Sequence, residues 1–329
     1  MNRRRVIGAG SGRWRPAGVG VGATAVLLLA ACGSGGGPDT SLTPLATPPP
    51  LTSVVPTPGK ASPGSVTKVL TVMEENHSLS QSLAEMPYLN KLAHHYAYAT
   101  NYTAVRHSSE PNYLAVAGGS TFGVTNDAPV SQTAPRVGTA ASVFDQAIAA
   151  GKSAKTYVQS MQTNCDPALG GLAPVKHNPW VFFKAGRANC EKFDVPSGTA
   201  SSGNLIGDIR ANNLPNVGFV APDLLHDAHD GSLLAADAWL TGYLPALLAS
   251  SDFTSGRLAV VITADEDDNT DVNKVLTVVL QRGLSHVVVG VPLNHYSLTR
   301  LYAQVAGSTP LLAGNSARDL AGPFHLKVG

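Results

Sequence analysis

Three short apolar runs, rich in β-branched residues, each break off directly into acidic or imidazole-bearing residues. Val69-Leu70-Thr71-Val72-Met73 leads into Glu74-Glu75-Asn76-His77, and Val217-Gly218-Phe219-Val220 leads into Asp223, His226, Asp227 and His229. Leu258-Ala259-Val260-Val261-Ile262 leads into Asp265-Glu266-Asp267-Asp268. Runs of this kind read as buried strands, and so does Val287-Val288-Val289. Helical patterns lie between them, at Leu89 to Ala97, at Ser142 to Ala150, and at Leu233 to Leu248 after the loop at Asp230-Gly231. Strands separated by helices predict an α/β fold with a mostly parallel central sheet and helices on both faces. Open sheets of that kind place their sites outside the carboxyl ends of the strands, where these acids are pooled. Pooled carboxylates repel unless a cation or tight hydrogen bonding compensates, so a bound metal is the economical explanation.

The chain's 329 residues are 43% hydrophobic and 14% charged, which allows one large core and excludes a disordered or fibrous protein. Five of the 23 Lys and Arg (Arg3, Arg4, Arg5, Arg13, Arg15) lie at the extreme N-terminus, so the rest of the chain is mildly acidic and carries no nucleic-acid footprint. That basic start, the apolar run Val19 to Leu29 and the box Leu29-Ala30-Ala31-Cys32 read as a signal peptide over residues 1–32. The box resembles a bacterial lipoprotein processing site, with Cys32 as the lipidated residue; ordinary cleavage without lipid is the alternative. Arg3-Arg4-Arg5-Val6-Ile7 fits a twin-arginine export signal or a plain charged n-region. Residues 33–65, dominated by Gly, Ser, Thr and Pro, read as a flexible tether before a catalytic domain over residues 66–329. The expectation is export to the bacterial cell surface or envelope, with membrane contact through the lipid anchor only. Cys165 and Cys190 are then available to each other in an oxidising compartment and read as a disulfide, with two unpaired buried thiols as the alternative.

Each motif has a bland reading beside the chemical one. Glu75-Asn76 offers two oxygen ligands after a strand, and fits a solvated loop or helix N-cap as well. Asp265-Glu266 must point at least one carboxylate into the crevice, whereas Asp267 and Asp268 read as solvated loop charges. The run of four acids lacks the Gly and terminal Glu of an EF-hand. His226-Asp227-Ala228-His229-Asp230 suits zinc-type ligation or general acid catalysis. In Arg106-His107-Ser108-Ser109-Glu110-Pro111-Asn112-Tyr113 a hydroxyl at a helix N-terminus is placed as a nucleophile; read alone it is a capping Ser with a turn Pro. No Gly-x-Ser-x-Gly elbow is present, which argues against an α/β-hydrolase esterase.

Taken in order, eight blocks resemble the phosphoesterase family of bacterial acid phosphatases and phospholipases C, in the alkaline phosphatase superfamily. They are Val72 to Ser78, His107 to Leu114, Lys176-His177-Asn178-Pro179-Trp180, Leu214-Pro215-Asn216-Val217, Asp227-Ala228-His229-Asp230, Asp237-Ala238-Trp239-Leu240, Thr263-Ala264-Asp265-Glu266 and His295-Tyr296-Ser297-Leu298. The resemblance covers nearly everything from Val66 onward and implies an alkaline phosphatase-like fold. It implies that Glu75, Asn76, Asp265 and Glu266 hold a divalent metal ion (Zn, Mn or Ca) together with the hydroxyl of Ser109, the nucleophile. It also implies that His229 and His295, with His177, ligate a second ion or touch phosphate and leaving group. Ser108 stands where relatives often have Pro, which leaves the choice between Ser108 and Ser109 open, and Asp267-Asp268 replace the usual glycines. The activity implied is metal-dependent hydrolysis of a phosphomonoester through a phosphoseryl intermediate, on a phosphorylated small molecule or a phospholipid. Phospholipase C or phosphodiesterase activity on the same scaffold is the second reading, and a noncatalytic surface-binding lipoprotein the third.

Overall fold

A computed structural model of the chain describes residues 64–329; the signal peptide, Cys32 and the tether up to residue 63 lie outside the described residues. Among these, the strands are β1 (Lys68–Glu74), β2 (Ala97–Ala99), β3 (Tyr102–Thr103), β4 (Ala154–Val158), β5 (Asp194–Pro196), β6 (Val217–Ala221), β7 (Leu258–Ala264), β8 (Thr277–Leu280), β9 (Val287–Val289) and β10 (Leu293–Asn294). The helices are α1 (Leu79–Glu85), α2 (Pro87–His95), α3 (Ser109–Gly118), α4 (Val130–Val137), α5 (Val143–Ala149), α6 (Arg187–Phe193), α7 (Asn204–Arg210), α8 (Leu233–Ala249), α9 (Ser251–Thr254) and α10 (His295–Ala306). No helix among the described residues is long and apolar enough to cross a membrane.

The expected mostly parallel sheet is present, with strand order β5-β4-β6-β1-β7-β8-β2-β9. Only β8 runs against its neighbours, β7 and β2. The three acid-ending runs, β1, β6 and β7, are adjacent at its centre, with Val69 opposite Val217 and Ala259, so their carboxyl ends open at one place. All of β6 and β7 is buried, as a strand covered on both faces must be. Thr71 and Phe219, opposite one another in register, show one covered face. Tyr302 of α10 donates to Thr71 at 2.6 Å, and the rings of Phe144 in α5 and Tyr113 in α3 lie 6.3 and 5.9 Å from Phe219. Helices α1, α2, α7, α8 and α9 form a second packed group.

Two expectations are corrected. The helix at Leu89 to Ala97 covers Pro87–His95 instead, because Ala97 already pairs with Val287 in β2. Val287-Val288-Val289 is the outermost strand of the sheet among the described residues rather than a buried one, and Val288 is 58% exposed.

Cys165 and Cys190 form a disulfide with Cα atoms 5.3 Å apart, closing the loop that carries Lys176 and His177. Cross-linking residues 25 apart in sequence is worth about 3 kcal/mol in the chain-entropy picture. Replacing both cysteines with Ala should lower unfolding free energy by about that amount in urea titration. Thiol titration of the unfolded, unreduced wild-type domain over residues 64–329 should find no free sulfhydryl; two titratable thiols would refute the bridge.

Candidate active site

The carboxyl end of β1 delivers Glu75 into the centre of the site, where both of its oxygens are used. Its Oε2 accepts from Ser109 Oγ at 3.0 Å, and its Oε1 accepts a short hydrogen bond from the Tyr113 hydroxyl. His177 Nε2 lies 3.1 Å from the same Oε1, and His177 Nδ1 lies 3.2 Å from Asp227 Oδ2. The imidazole is thus sandwiched between two carboxylates, with its ring stacked at 5.1 Å on Tyr113. It is at ion-pair distance from each, yet out of line for a hydrogen bond to either.

Ser109 is the first residue of α3, so its hydroxyl sits at the positive end of the helix. Ser108 before it has φ +86°, and its N–H donates to Glu266 Oε2 at 2.7 Å. The side chain of Asn112 accepts from the N–H groups of Val105 and Arg106 and donates to the carbonyls of Arg106 and Ser108, which closes the approach loop. Lys176 donates to Ser109 Oγ at 3.2 Å, lies 3.1 Å from Asp127 and stands 3.2 Å from His229 Nε2.

The end of β7 supplies the other acids. Asp265 Oδ1 accepts from the N–H groups of Asn76 and Glu266, at 3.3 and 2.6 Å. Glu266 is 3.1 Å from His107 Nδ1. Asp267 corrects an expectation: it is buried, accepting from the N–H groups of Asn269, Asp271 and Asn273, because it caps the turn between β7 and β8 from within. Asp268 stays partly exposed, bound to Gln81 at 2.8 Å.

The histidines separate. His229 lines a cleft of about 460 Å³ together with Asn76, His107, Ser109, Lys176 and Glu266, and His177 lies behind Glu75. His226 turns instead to Asp223, 2.6 Å away. His295, expected at an ion or at the phosphate, lies behind Asp265: its Nε2 is 2.6 Å from the Asp265 carbonyl, and its Nδ1 is 3.1 Å from the Tyr102 hydroxyl. With both nitrogens so engaged it holds Asp265 and does not face the cleft. Lys176, Tyr113, Asp127 and His107, which the sequence does not mark as site residues, are brought into the site, and so is Asp227 from the His226–Asp230 run.

Burial and mutual repulsion dominate the electrostatics. Burial, then Glu75 and Glu266, push Asp265 well above the usual carboxylate range; burial, then Asp227, Asp237 and Glu75, do the same to Glu74. Burial alone would depress His177 and raise Glu75, but their attraction prevails, raising His177 to about 9 and lowering Glu75. Lys176 is likewise raised against burial by Glu75 and Asp127.

Several buried polar atoms have no hydrogen-bond partner: Asn76 Oδ1, Asp265 Oδ2, Asp227 Oδ2 and both carboxylate oxygens of Glu74. Buried oxygens left in that state are costly, and coordination to a divalent ion is one way in which such oxygens are satisfied. Hydrogen bonds from Asn76 N–H to Asp265, from Ser109 Oγ to Glu75 and from Ser108 N–H to Glu266 gather the expected oxygen ligands at one sheet edge, and such ligand types select no one cation. Glu75, His177 and Asp227 each offer a ligand atom within 4.8 Å of the others and form a second candidate group.

A model of the Phosphoesterase family matches residues 72–282. The phosphatidylinositol-3-phosphatase of Mycobacterium tuberculosis is 32% identical over 252 residues, 73% of this chain and 76% of that protein. The phosphate-repressible acid phosphatase of Penicillium chrysogenum is 35% identical over 187 residues, 55% of this chain and 43% of that protein, so the chain spans less than half of the fungal enzyme's length. A Vibrio parahaemolyticus protein of the alkaline phosphatase superfamily superposes with a TM-score of 0.53 at 13% identity, covering 79% of this chain and 71% of that one, a likeness of fold.

Burial lowers His295 to about 4, outweighing the Asp265 carbonyl that accepts its proton, so the fold holds it neutral. A depressed histidine stabilises fully above its ordinary value near 6.5 and loses that contribution as pH falls through about 4. In the chelated protein, His295→Gln should therefore flatten the loss of unfolding free energy between those two values, followed by urea titration. Parallel pH profiles for variant and wild type would contradict the neutral, buried state.

Proposed function

The chain belongs to the Phosphoesterase family and is a hydrolase of phosphate esters, and we propose that it is a metal-dependent, acid phosphatase-type phosphomonoesterase that works through Ser109. One observation carries this reading: a buried serine hydroxyl at a helix N-terminus, held between a carboxylate and an ammonium, beside orphaned ligand oxygens. The noncatalytic alternative is set aside by the family.

Glu75, Asn76, Ser109, Asp265 and Glu266 would hold the ion, which when bound neutralises charge and acts as a Lewis acid. Ser109 Oγ attacks phosphorus and the ester oxygen leaves, giving a phosphoseryl group that water then cleaves. The Ser109 proton already points at Glu75 Oε2, its nearest acceptor. Lys176 donates to Ser109 Oγ and offers a fixed cation to the phosphoryl group; Asp127 holds its ammonium in place. His229, the candidate histidine that lines the cleft, would pass a proton to the leaving oxygen from the Lys176 ammonium 3.2 Å from its Nε2, with Asp230 2.7 Å from its Nδ1. His177 keeps its positive charge between Glu75 and Asp227, and His295 sets the backbone of Asp265. The box ending at Cys32 supports an exported, lipid-anchored enzyme at the bacterial envelope.

Ser109→Ala should abolish turnover of an aryl phosphate with the fold intact by circular dichroism, whereas Ser108→Ala should cost far less; the reverse order would move the nucleophile by one residue. Chelation should lower the melting temperature and stop hydrolysis together, with one metal restoring both. Asp265→Asn should weaken metal affinity, while Asp268→Asn should change it little. Full activity in protein shown metal-free by elemental analysis would end the metal assignment. Incorporation of labelled fatty acid that persists in Cys32→Ala would end the anchor assignment.

A further inference from the structure

Asp127 and Lys176 border two cavities at once. One is the catalytic cleft, and the other is a groove of about 420 Å³ walled by Ala128 and Pro129 on one side and by Pro167, Ala168, Leu169, Pro174 and Val175 on the other. That volume falls within the range of small-molecule pockets, roughly 300–1,000 Å³. Apart from Asp127 and Lys176 at its mouth, the lining carries no charge, in contrast to the acid-rich cleft it joins. The same Lys176 ammonium donates to Ser109 Oγ at 3.2 Å, so the groove begins one side chain from the reacting hydroxyl.

The walls are also built to stay open. Three prolines restrict the backbone that lines the groove. The longer wall lies inside the loop closed by the Cys165–Cys190 disulfide, and Pro129 is fixed as the N-cap residue of α4. An apolar groove that does not collapse needs no reorganisation when an apolar group enters.

We propose that this groove is the leaving-group subsite, and that the enzyme prefers phosphomonoesters whose ester oxygen carries one compact apolar body, such as an aryl group. The inference rests on the phosphomonoesterase reading above. The phosphoryl group occupies the polar cleft against Lys176, and the apolar body lies between Pro129 and Leu169, out of water. A two-chain lipid exceeds one groove of this size, whereas a single ring system is matched to it.

The test compares 1-naphthyl phosphate, glycerol 2-phosphate and dioctanoyl phosphatidic acid on the metal-loaded enzyme. Leu169→Asn removes an apolar wall; Ala168→Trp, at an exposed loop position, fills the groove without touching the core. Both should raise KM for 1-naphthyl phosphate about tenfold, while kcat/KM for glycerol 2-phosphate stays within about twofold. An equal fall on both substrates, or no change on either, overturns the subsite. A larger loss on the phosphatidic acid than on the naphthyl ester overturns the compact occupant. Calorimetric binding of 1-naphthylphosphonate against methylphosphonate separates this idea from its premise. Preferential naphthyl binding that Ala168→Trp abolishes, in an enzyme that cleaves none of the esters, would keep the subsite and sink the phosphomonoesterase reading. Equal binding of both phosphonates by wild type would sink the subsite even if hydrolysis is observed.

Discussion

The carboxylate of Glu75 is the contact on which the rest of the site depends. It joins β1 to α3 through Ser109 and Tyr113, and to the loop after β4 through His177. Its N–H donates to the carbonyl of Asp227 at 2.7 Å, which ties in the loop after β6. One residue further back, the Glu74 carbonyl accepts from Asp265 N–H, so the β1–β7 ladder continues to the edge of the site. The position of Asp265 is therefore set by sheet hydrogen bonding, the stiffest frame available, and Glu75 follows directly on the last paired residue of β1 and is tied to the loop after β6.

Strain at two residues shows what that frame holds in place. Asn76 and Ser108 both have positive φ, a conformation that costs non-glycine residues of order 1–3 kcal/mol each when the region is sparsely populated. They flank the donor set from opposite sides: the Asn76 N–H points at Asp265, and the Ser108 N–H at Glu266. Turning either residue into an ordinary conformation would withdraw an N–H from a buried carboxylate and redirect the side chain beside it. For Ser108 that side chain belongs to the approach to Ser109, a loop which Asn112 closes with four hydrogen bonds.

The central strands, the gathering of their acidic ends and the helical position of Ser109 were all legible in the sequence, because each follows from local pattern and strand length. What was hidden depends on tertiary partners. Lys176 is one letter before a histidine that had been singled out, yet nothing local says that its ammonium reaches Ser109 and not solvent. Tyr113 reads as an ordinary core aromatic until its hydroxyl is seen on Glu75. Asp267 looks solvated within a run of four acids; its burial comes from three backbone N–H groups of the turn that follows. His295 has the composition of a ligand, and only the Tyr102 hydroxyl and the Asp265 carbonyl show that its nitrogens are already taken. The short strands β4 and β5, with Lys155 and Pro196 in them, lack the apolar continuity that marked the central three.

The Lys176–His177 segment has an anchor of its own, separate from the carboxylate edge. Asn178, next to His177, donates to buried Asp194 at 2.6 Å, and Thr156 of β4 donates to the other oxygen of the same carboxylate at 2.5 Å. Burial raises Asp194 to about 6 despite those donors. The disulfide closes the same segment covalently. Two independent supports thus meet at Glu75: a polar anchor and cross-link that hold Lys176 and His177, and a sheet edge whose repelling acids call for a cation. Removal of the proposed cation would relax the second support and leave the first intact. The Lys176 ammonium, 3.2 Å from Ser109 Oγ, and the His177 imidazole, 3.1 Å from Glu75, are both carried by that first support.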